Sequence, residues 1–205
     1  MLGLKIPFKK QQFEAREEAI LDAVNRLLSE KGFDLMTMDD VAEAVGVAKG
    51  SLYKHFSSKE KLAGAVMCRL LHQTLETLEA MPEDWSAARK LEAVLRWSLQ
   101  LRLRNGVPHL PSTRGPLQRA LLLNFDYLAS ALKVNKRFYA LVTEAKAAGD
   151  INVAMPDDVI VYSLYSRACD PTVDFLRRDG KLKDEQIVES MVSATFAGFS
   201  SRSRE

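Results

Sequence analysis

Apolar residues recur three and four positions apart from Phe13 to Leu28, at Phe13, Ile20, Leu21, Val24, Leu27 and Leu28. This spacing predicts an amphipathic helix, and Gly32 just beyond supplies a left-handed stop. Thr37 precedes Met38, Asp39 and Asp40, so its hydroxyl can cap a second helix whose acidic first turn suits the positive end of the dipole. Val41, Ala42 and Val45 give that helix its buried side, and Gly46 ends it after two turns or so. A second short helix from Ala48 to Lys54 follows, anchored by Leu52 and Phe56. Ser57 with Glu60 three places on forms a capping-box pattern. Leu62, Val66, Met67, Leu70, Leu71, Leu75 and Leu78 then carry a long helix to near Ala80, the connector between two domains.

Beyond Pro82 the helical period persists over Trp85 to Arg104, Pro116 to Leu132 and Lys136 to Ala148. No run alternates as a half-buried strand requires, and no internal repeat or low-complexity tract occurs. Asn105 to Gly115, with Gly106, Pro108, Pro111 and Gly115, is a loop; a mobile lid and a plain connector both fit it. Two helices close the chain, Asp157 to about Arg178 and Asp184 to about Ser200. The first is apolar on several sides through Val159, Ile160, Val161, Tyr162, Leu164, Tyr165, Ala168 and Cys169, so it needs cover on more than one side. The second is rich in small and apolar residues. The pair (157–178, 184–200) is therefore expected to pack against its symmetry mate as a four-helix homodimer surface. Pro171 must kink the first of these helices or restart it.

Composition narrows the class. Among 205 residues, 47% hydrophobic and 27% charged fits an ordinary globular protein, neither disordered nor membrane-embedded. No apolar run is long enough to span a bilayer and the opening residues do not form a signal peptide, so a cytoplasmic protein without membrane contact is expected. Cys68 and Cys169 have no CxxC partner or nearby histidine pair, so no metal site and no cofactor is expected. The net charge of +2 says less than its distribution. Lys5, Lys9 and Lys10 form a basic arm (1–12) before the first helix, and Lys49, Lys54, Lys59 and Lys61 stand against Glu60 alone between 48 and 61.

Thr37 to Phe56 thus reads as two short helices about a glycine turn, a helix-turn-helix whose second helix fits a major groove about 12 Å wide. Lys49, Gly50, Ser51, Tyr53, Lys54 and His55 would be its exposed residues, able to donate to phosphates or base edges, while Ala48 and Gly50 let the backbone approach closely. Lys59 lies in the first turn of the next helix, where a cation costs about a few tenths of a kcal/mol against the dipole. A DNA phosphate would compensate it; a solvated lysine tolerated at small cost is the alternative.

The run from Gly46 to Phe56 (GVAKGSLYKHF), with Ser58 to Leu62 (SKEKL) after it and Gly32, Phe33 and Thr37 before it, resembles the tetracycline-repressor (TetR) family over about residues 14 to 62. The resemblance implies an all-α homodimer of about nine helices. Residues 1–57 would be a three-helix DNA-binding domain, and 58–205 a helical effector-binding and dimerisation domain. By position it puts Thr37, Tyr53, His55 and Lys59 on phosphates and Lys49, Gly50 and Ser51 on bases. Ala48 replaces a common serine, removing a capping hydroxyl, and Val24 replaces a common alanine.

A ligand-responsive repressor on a near-palindromic operator is the function expected. For the effector, Trp97, Leu101, Phe125, Tyr127, Tyr162, Tyr165 and Cys169 could line an apolar cavity with polar tips, or simply form core. Arg102, Arg104, His109 and Arg114 fit an anionic effector or a solvated edge equally. No nucleophile with its base and no phosphate-cradling loop is visible, and His72 with Cys68, one turn apart, is more simply surface and core, so no enzyme is expected.

Overall fold

The computed structural model describes residues 8–104 and 115–200, with side chains from Gln12 onward. Among the described residues ten helices run in chain order: α1 (Phe8–Leu35), α2 (Met38–Val45), α3 (Lys49–His55), α4 (Lys59–Glu79), α5 (Ala87–Leu103), α6 (Pro116–Leu122), α7 (Phe125–Ala147), α8 (Asp157–Ala168), α9 (Thr172–Asp179) and α10 (Asp184–Phe199). The fold is all-α. Among the described residues the only extended pairing is an isolated bridge between Ile151 and Ser200. No described helix is long and apolar enough to cross a membrane.

Apolar side chains gather into two clusters. The first joins Ile20, Val24 and Leu28 of α1 to Val41 of α2, Leu52 of α3 and Leu62, Ala63 and Val66 of α4, with Leu117 and Leu121 of α6 inserted from below in the chain. The second joins Leu78 of α4 to Leu91 and Leu99 of α5, Val134 and Leu141 of α7, Ile160 of α8, Val173 of α9 and Ile187 of α10. Helix α4 therefore places its first half in one cluster and its last turn in the other. Helix α6 belongs by its leucines to the amino-terminal cluster although it lies fifty residues beyond it. Gly64 makes this crossing close: a Cβ there would stand 3.1 Å from the Asn124 side chain.

Several element boundaries differ from the sequence expectation. Helix α1 already runs at Phe8, so residues 8–12 are helical and not an arm; Lys5 lies outside the described residues. The helix expected over Pro116 to Leu132 breaks at Leu123 and restarts on Asn124, whose side-chain oxygen accepts from the Tyr127 amide. From there α7 runs unbroken through the gap expected at 133–135. Pro171 restarts its helix: α8 stops at Ala168, the Asp170 carboxylate accepts from the Thr172 amide, and α9 begins. Lacking an amide hydrogen, Pro171 could not continue α8. The α4 cap is Ser58, not Ser57, with its hydroxyl accepting from the Lys61 amide at 3.3 Å. The loop residues Asn105 to Arg114, with His109, and the tail from Ser201 lie outside the described residues.

Candidate nucleic-acid interface

The geometry of α2 and α3 is set by their ends. Thr37 and Asp40 close a reciprocal capping box: the Asp40 amide donates to the Thr37 hydroxyl at 3.1 Å, while the Thr37 amide and hydroxyl donate to the Asp40 carboxylate at 2.8 and 2.7 Å. Lys31 sits 2.8 Å from the same carboxylate. Lys31 first, then Thr37, hold the Asp40 carboxyl down at about 2. Gly46 ends α2 with φ of 73°, in the left-handed region that favours glycine. Ala48 begins α3 without any side-chain cap, and Leu52, fully buried, with Phe56 fixes α3 against α1, α2 and α4.

This arrangement turns one face of α3 outward. Lys49, Gly50 and Lys54 are exposed beside Ala48, Tyr53 is 44% exposed, and Ser51 is partly covered. His55 is half-buried: its ring stacks on Phe13 of α1, centroids 4.1 Å apart, and its Nδ1 has no hydrogen-bond partner among the described residues. The structure thus brings Ala48, Lys49, Gly50, Ser51, Tyr53 and Lys54 together on one short helix, with His55 at its inner edge.

Thr37 and Lys59 are differently employed. Both donors of Thr37 are directed at Asp40. The Lys59 ammonium donates to the carbonyls of Phe33, Asp34 and Met36 at 3.1, 3.3 and 3.4 Å and lies 4.5 Å from the centre of the Phe33 ring. Phe33 and Asp34 lie in the last residues of α1, past its kink at Gly32 (φ 74°), and Met36 follows the helix end, where carbonyls lack partners further along the helix. Three neutral carbonyl oxygens thus satisfy the Lys59 ammonium within the chain.

Besides its place in the acidic first turn of α2, the Asp39 carboxylate receives the Lys49 ammonium at 2.7 and 2.9 Å. This pair raises the Lys49 pKa. Ten residues and a glycine turn separate the partners, so no helical or strand period flags them.

Of the seven residues considered for an effector cavity, Tyr162 and Tyr165 lie with ring centroids 6.4 Å apart, and the others are spread over several faces. Trp97 and Tyr165 pack against the carboxy-terminal cluster and Tyr127 against the amino-terminal one. Leu101 faces a groove with α1, α2 and α4, and Phe125, 81% exposed, borders a cleft of α1, α4 and α7. Tyr162, 62% exposed, lies on the outer face of α8 and α10, while Cys169 caps α8. The Tyr165 hydroxyl donates to Asn135 at 2.7 Å, and burial raises its pKa. Burial also pushes up the Cys68 thiol, the reverse of nucleophile activation, and His72 is bonded to the Ser130 hydroxyl at 2.9 Å. Among the described residues no three or more His, Cys, Asp or Glu side chains group as metal ligands.

A profile described as bacterial regulatory proteins, tetR family, matches residues 20–66, the stretch from mid-α1 into α4. The HTH-type transcriptional regulator YfiR of Bacillus subtilis (strain 168) is 29% identical over 128 residues, 62% of this chain and 57% of that protein. RutR of Escherichia coli (strain K12), also an HTH-type transcriptional regulator, is 31% identical over 93 residues, 45% of this chain and 44% of that protein. The chain thus spans about half the length of the curated relatives it matches. Among solved structures, the transcriptional regulator FadR from Bacillus subtilis in complex with stearoyl-CoA gives a TM-score of 0.66 at 18% identity, covering 89% of this chain and 98% of that one. That likeness concerns the fold. The helix-turn-helix segment from mid-α1 into α4 is thus similar to the tetR family of bacterial regulatory proteins, and the rest of the chain shares the fold of solved regulators.

Proposed function

We propose that the chain is a DNA-binding transcriptional regulator, a homodimer that reads a near-palindromic operator and is controlled by a small-molecule effector. The observation that carries this reading is the outward face of α3, where Lys49, Gly50, Ser51, Tyr53 and Lys54 are presented on a helix of seven residues locked from behind by Leu52. Donors on an exposed helix of that width suit a major groove. Lys49, Gly50 and Ser51 would meet base edges, and Tyr53, Lys54 and His55 phosphates. Thr37 and Lys59 act one step back: Thr37 sets the start of α2, and Lys59 ties the end of α1 to α4, so both position α3.

Residues 1–57 are the proposed DNA-binding domain and 58–205 the effector and dimerisation domain, with the first half of α4 and the leucines of α6 completing the core of the former. The dimer is proposed through α8 and α10. Val159 and Tyr162 are exposed there beside Ala194 and Gly198, small residues that permit a close crossing. For the effector, the half-buried Trp97, Tyr127 and Tyr165 are the better candidates of the seven. A ligand bound among α5, α7 and α8 would oppose DNA binding by linkage if it favours a different spacing of the two α3 helices, about 34 Å for successive major grooves.

The test is duplex selection from a random pool. The wild-type chain is expected to enrich a two-fold symmetric site, and a combined Lys49→Ala, Tyr53→Ala, Lys54→Ala variant of unchanged helicity to lose it. Equal enrichment by both proteins would overturn the assignment of α3.

A further inference from the structure

The pairing of Lys49 with Asp39 has no evident structural purpose. Both side chains are more than half exposed, at 54% and 70%, and exposed pairs contribute little stability. The start of α2 is already closed by Thr37 and Asp40. On a face that meets phosphates, moreover, an additional carboxylate is repelled unless it is aimed at something other than the backbone. What the pair does offer is a hydrogen-bond donor and an acceptor 2.7 Å apart, held side by side at the outer edge of α2 and α3.

We infer that Asp39 and Lys49 together form a specificity-determining unit that reads one oriented G·C base pair in each operator half-site. The inference rests on the proposal that α3 enters the major groove. Across that groove a G·C pair presents the N7 and O6 acceptors of guanine and then the N4 amino donor of cytosine. The Lys49 ammonium donates to the guanine acceptors, and the Asp39 carboxylate accepts from the cytosine amino group. Because O6 and N4 are themselves partners in the base pair, their spacing matches that of the ion pair, which need not separate on binding.

The other three arrangements fit less well. A reversed pair sets the cytosine amino group against the ammonium and the guanine oxygen against the carboxylate. With T·A, the ammonium keeps one acceptor, thymine O4, but meets the 5-methyl group where guanine N7 would be, and the carboxylate faces adenine N7 beyond the amino group. With A·T, donor meets donor and acceptor meets acceptor at the centre of the pair. Asp39 thereby makes Lys49, otherwise an undirected point charge, sensitive to base identity.

The test compares wild-type and Asp39→Ala proteins in duplex selection, followed by affinity measurements on the selected site. Asp39 caps nothing, so Asp39→Ala should fold, which thermal unfolding verifies. The wild type is expected to require G·C in one orientation at one position per half-site and to lose about tenfold in affinity per half-site on exchange to T·A. Replacing that guanine by 7-deazaguanine should also weaken it. Asp39→Ala should lose affinity for the selected G·C site while changing little on the T·A-exchanged site, so that discrimination falls several-fold at that position and is unchanged elsewhere. A wild-type protein that selects a site without such a pair, or an Asp39→Ala variant with undiminished stringency there, overturns the assignment of Asp39. If the wild-type chain selects no duplex at any salt concentration, the operator-reading function itself fails.

Discussion

Asp40 answers to three neighbours at once, the Thr37 amide, the Thr37 hydroxyl and the Lys31 ammonium, and its carboxyl is accordingly held at about 2 against an ordinary 3.8. A depressed carboxyl stabilises the fold above the unfolded value and loses that contribution as pH falls through the folded one. Asp40→Asn should therefore be less stable than wild type at neutral pH, with the difference closing between pH 4 and about 2 as measured by denaturant unfolding. A difference independent of pH would mean that the charge is not what matters. Lys59 makes a separate case. Removing its three carbonyl bonds by Lys59→Ala should cost about 1 to 2 kcal/mol of stability. The salt dependence of DNA binding should stay as in wild type, because no phosphate contact is lost; a shallower slope would put Lys59 on the backbone after all. The capping role of Thr37 was legible because its partner lies three residues on. The Lys59 partners lie 23 to 26 residues away, beyond any local pattern.

At the scale of elements, the helical period and its glycine and proline punctuation located α2, α3, α4, α5 and α10 closely, because each end depends on residues within one turn. The α6–α7 junction was missed because Leu121, Leu122 and Leu123 continue the apolar period straight into Asn124. What decides there is the Asn124 cap together with the burial of Leu117 and Leu121 in the amino-terminal cluster, a tertiary preference. That seating makes a specific prediction. Leu121→Ala should destabilise by about 2 to 4 kcal/mol, since Leu121 is almost fully buried and its neighbours cannot all close the gap. The loss should appear in the unfolding of α1 to α4 by hydrogen exchange, although the mutation lies beyond the end of α4 at Glu79 by a whole helix, α5. Loss confined to α7 and later helices would show that α6 does not support the amino-terminal cluster.

For the whole molecule, the division into two apolar clusters that share α4 gives the proposed effector and operator sites a physical connection without making them one site. Aromatic residues at helical spacing could not identify the effector cavity in advance, and Phe125 and Tyr162 prove to be surface residues of different faces. Tyr162 and Val159 carry the dimer proposal instead. Tyr162→Asp combined with Val159→Asp should shift the protein from dimer to monomer in sedimentation at micromolar concentration and leave its helicity unchanged. An intact dimer would remove α8 from the interface. The Asp39 carboxylate beside Lys49, invisible to net charge and to period, is brought there by the folding of α2 against α3.

The central claim, that the face of α3 engages duplex DNA, is tested most directly by the salt dependence of affinity for a selected site. A dimer neutralising six or more phosphates should lose about a thousandfold in affinity between roughly 50 and 200 mM salt, with Lys54→Ala reducing the logarithmic slope by about one unit for each phosphate contact removed. An affinity that does not change with salt, or a slope identical in wild type and in the variant lacking Lys49, Tyr53 and Lys54, would contradict it.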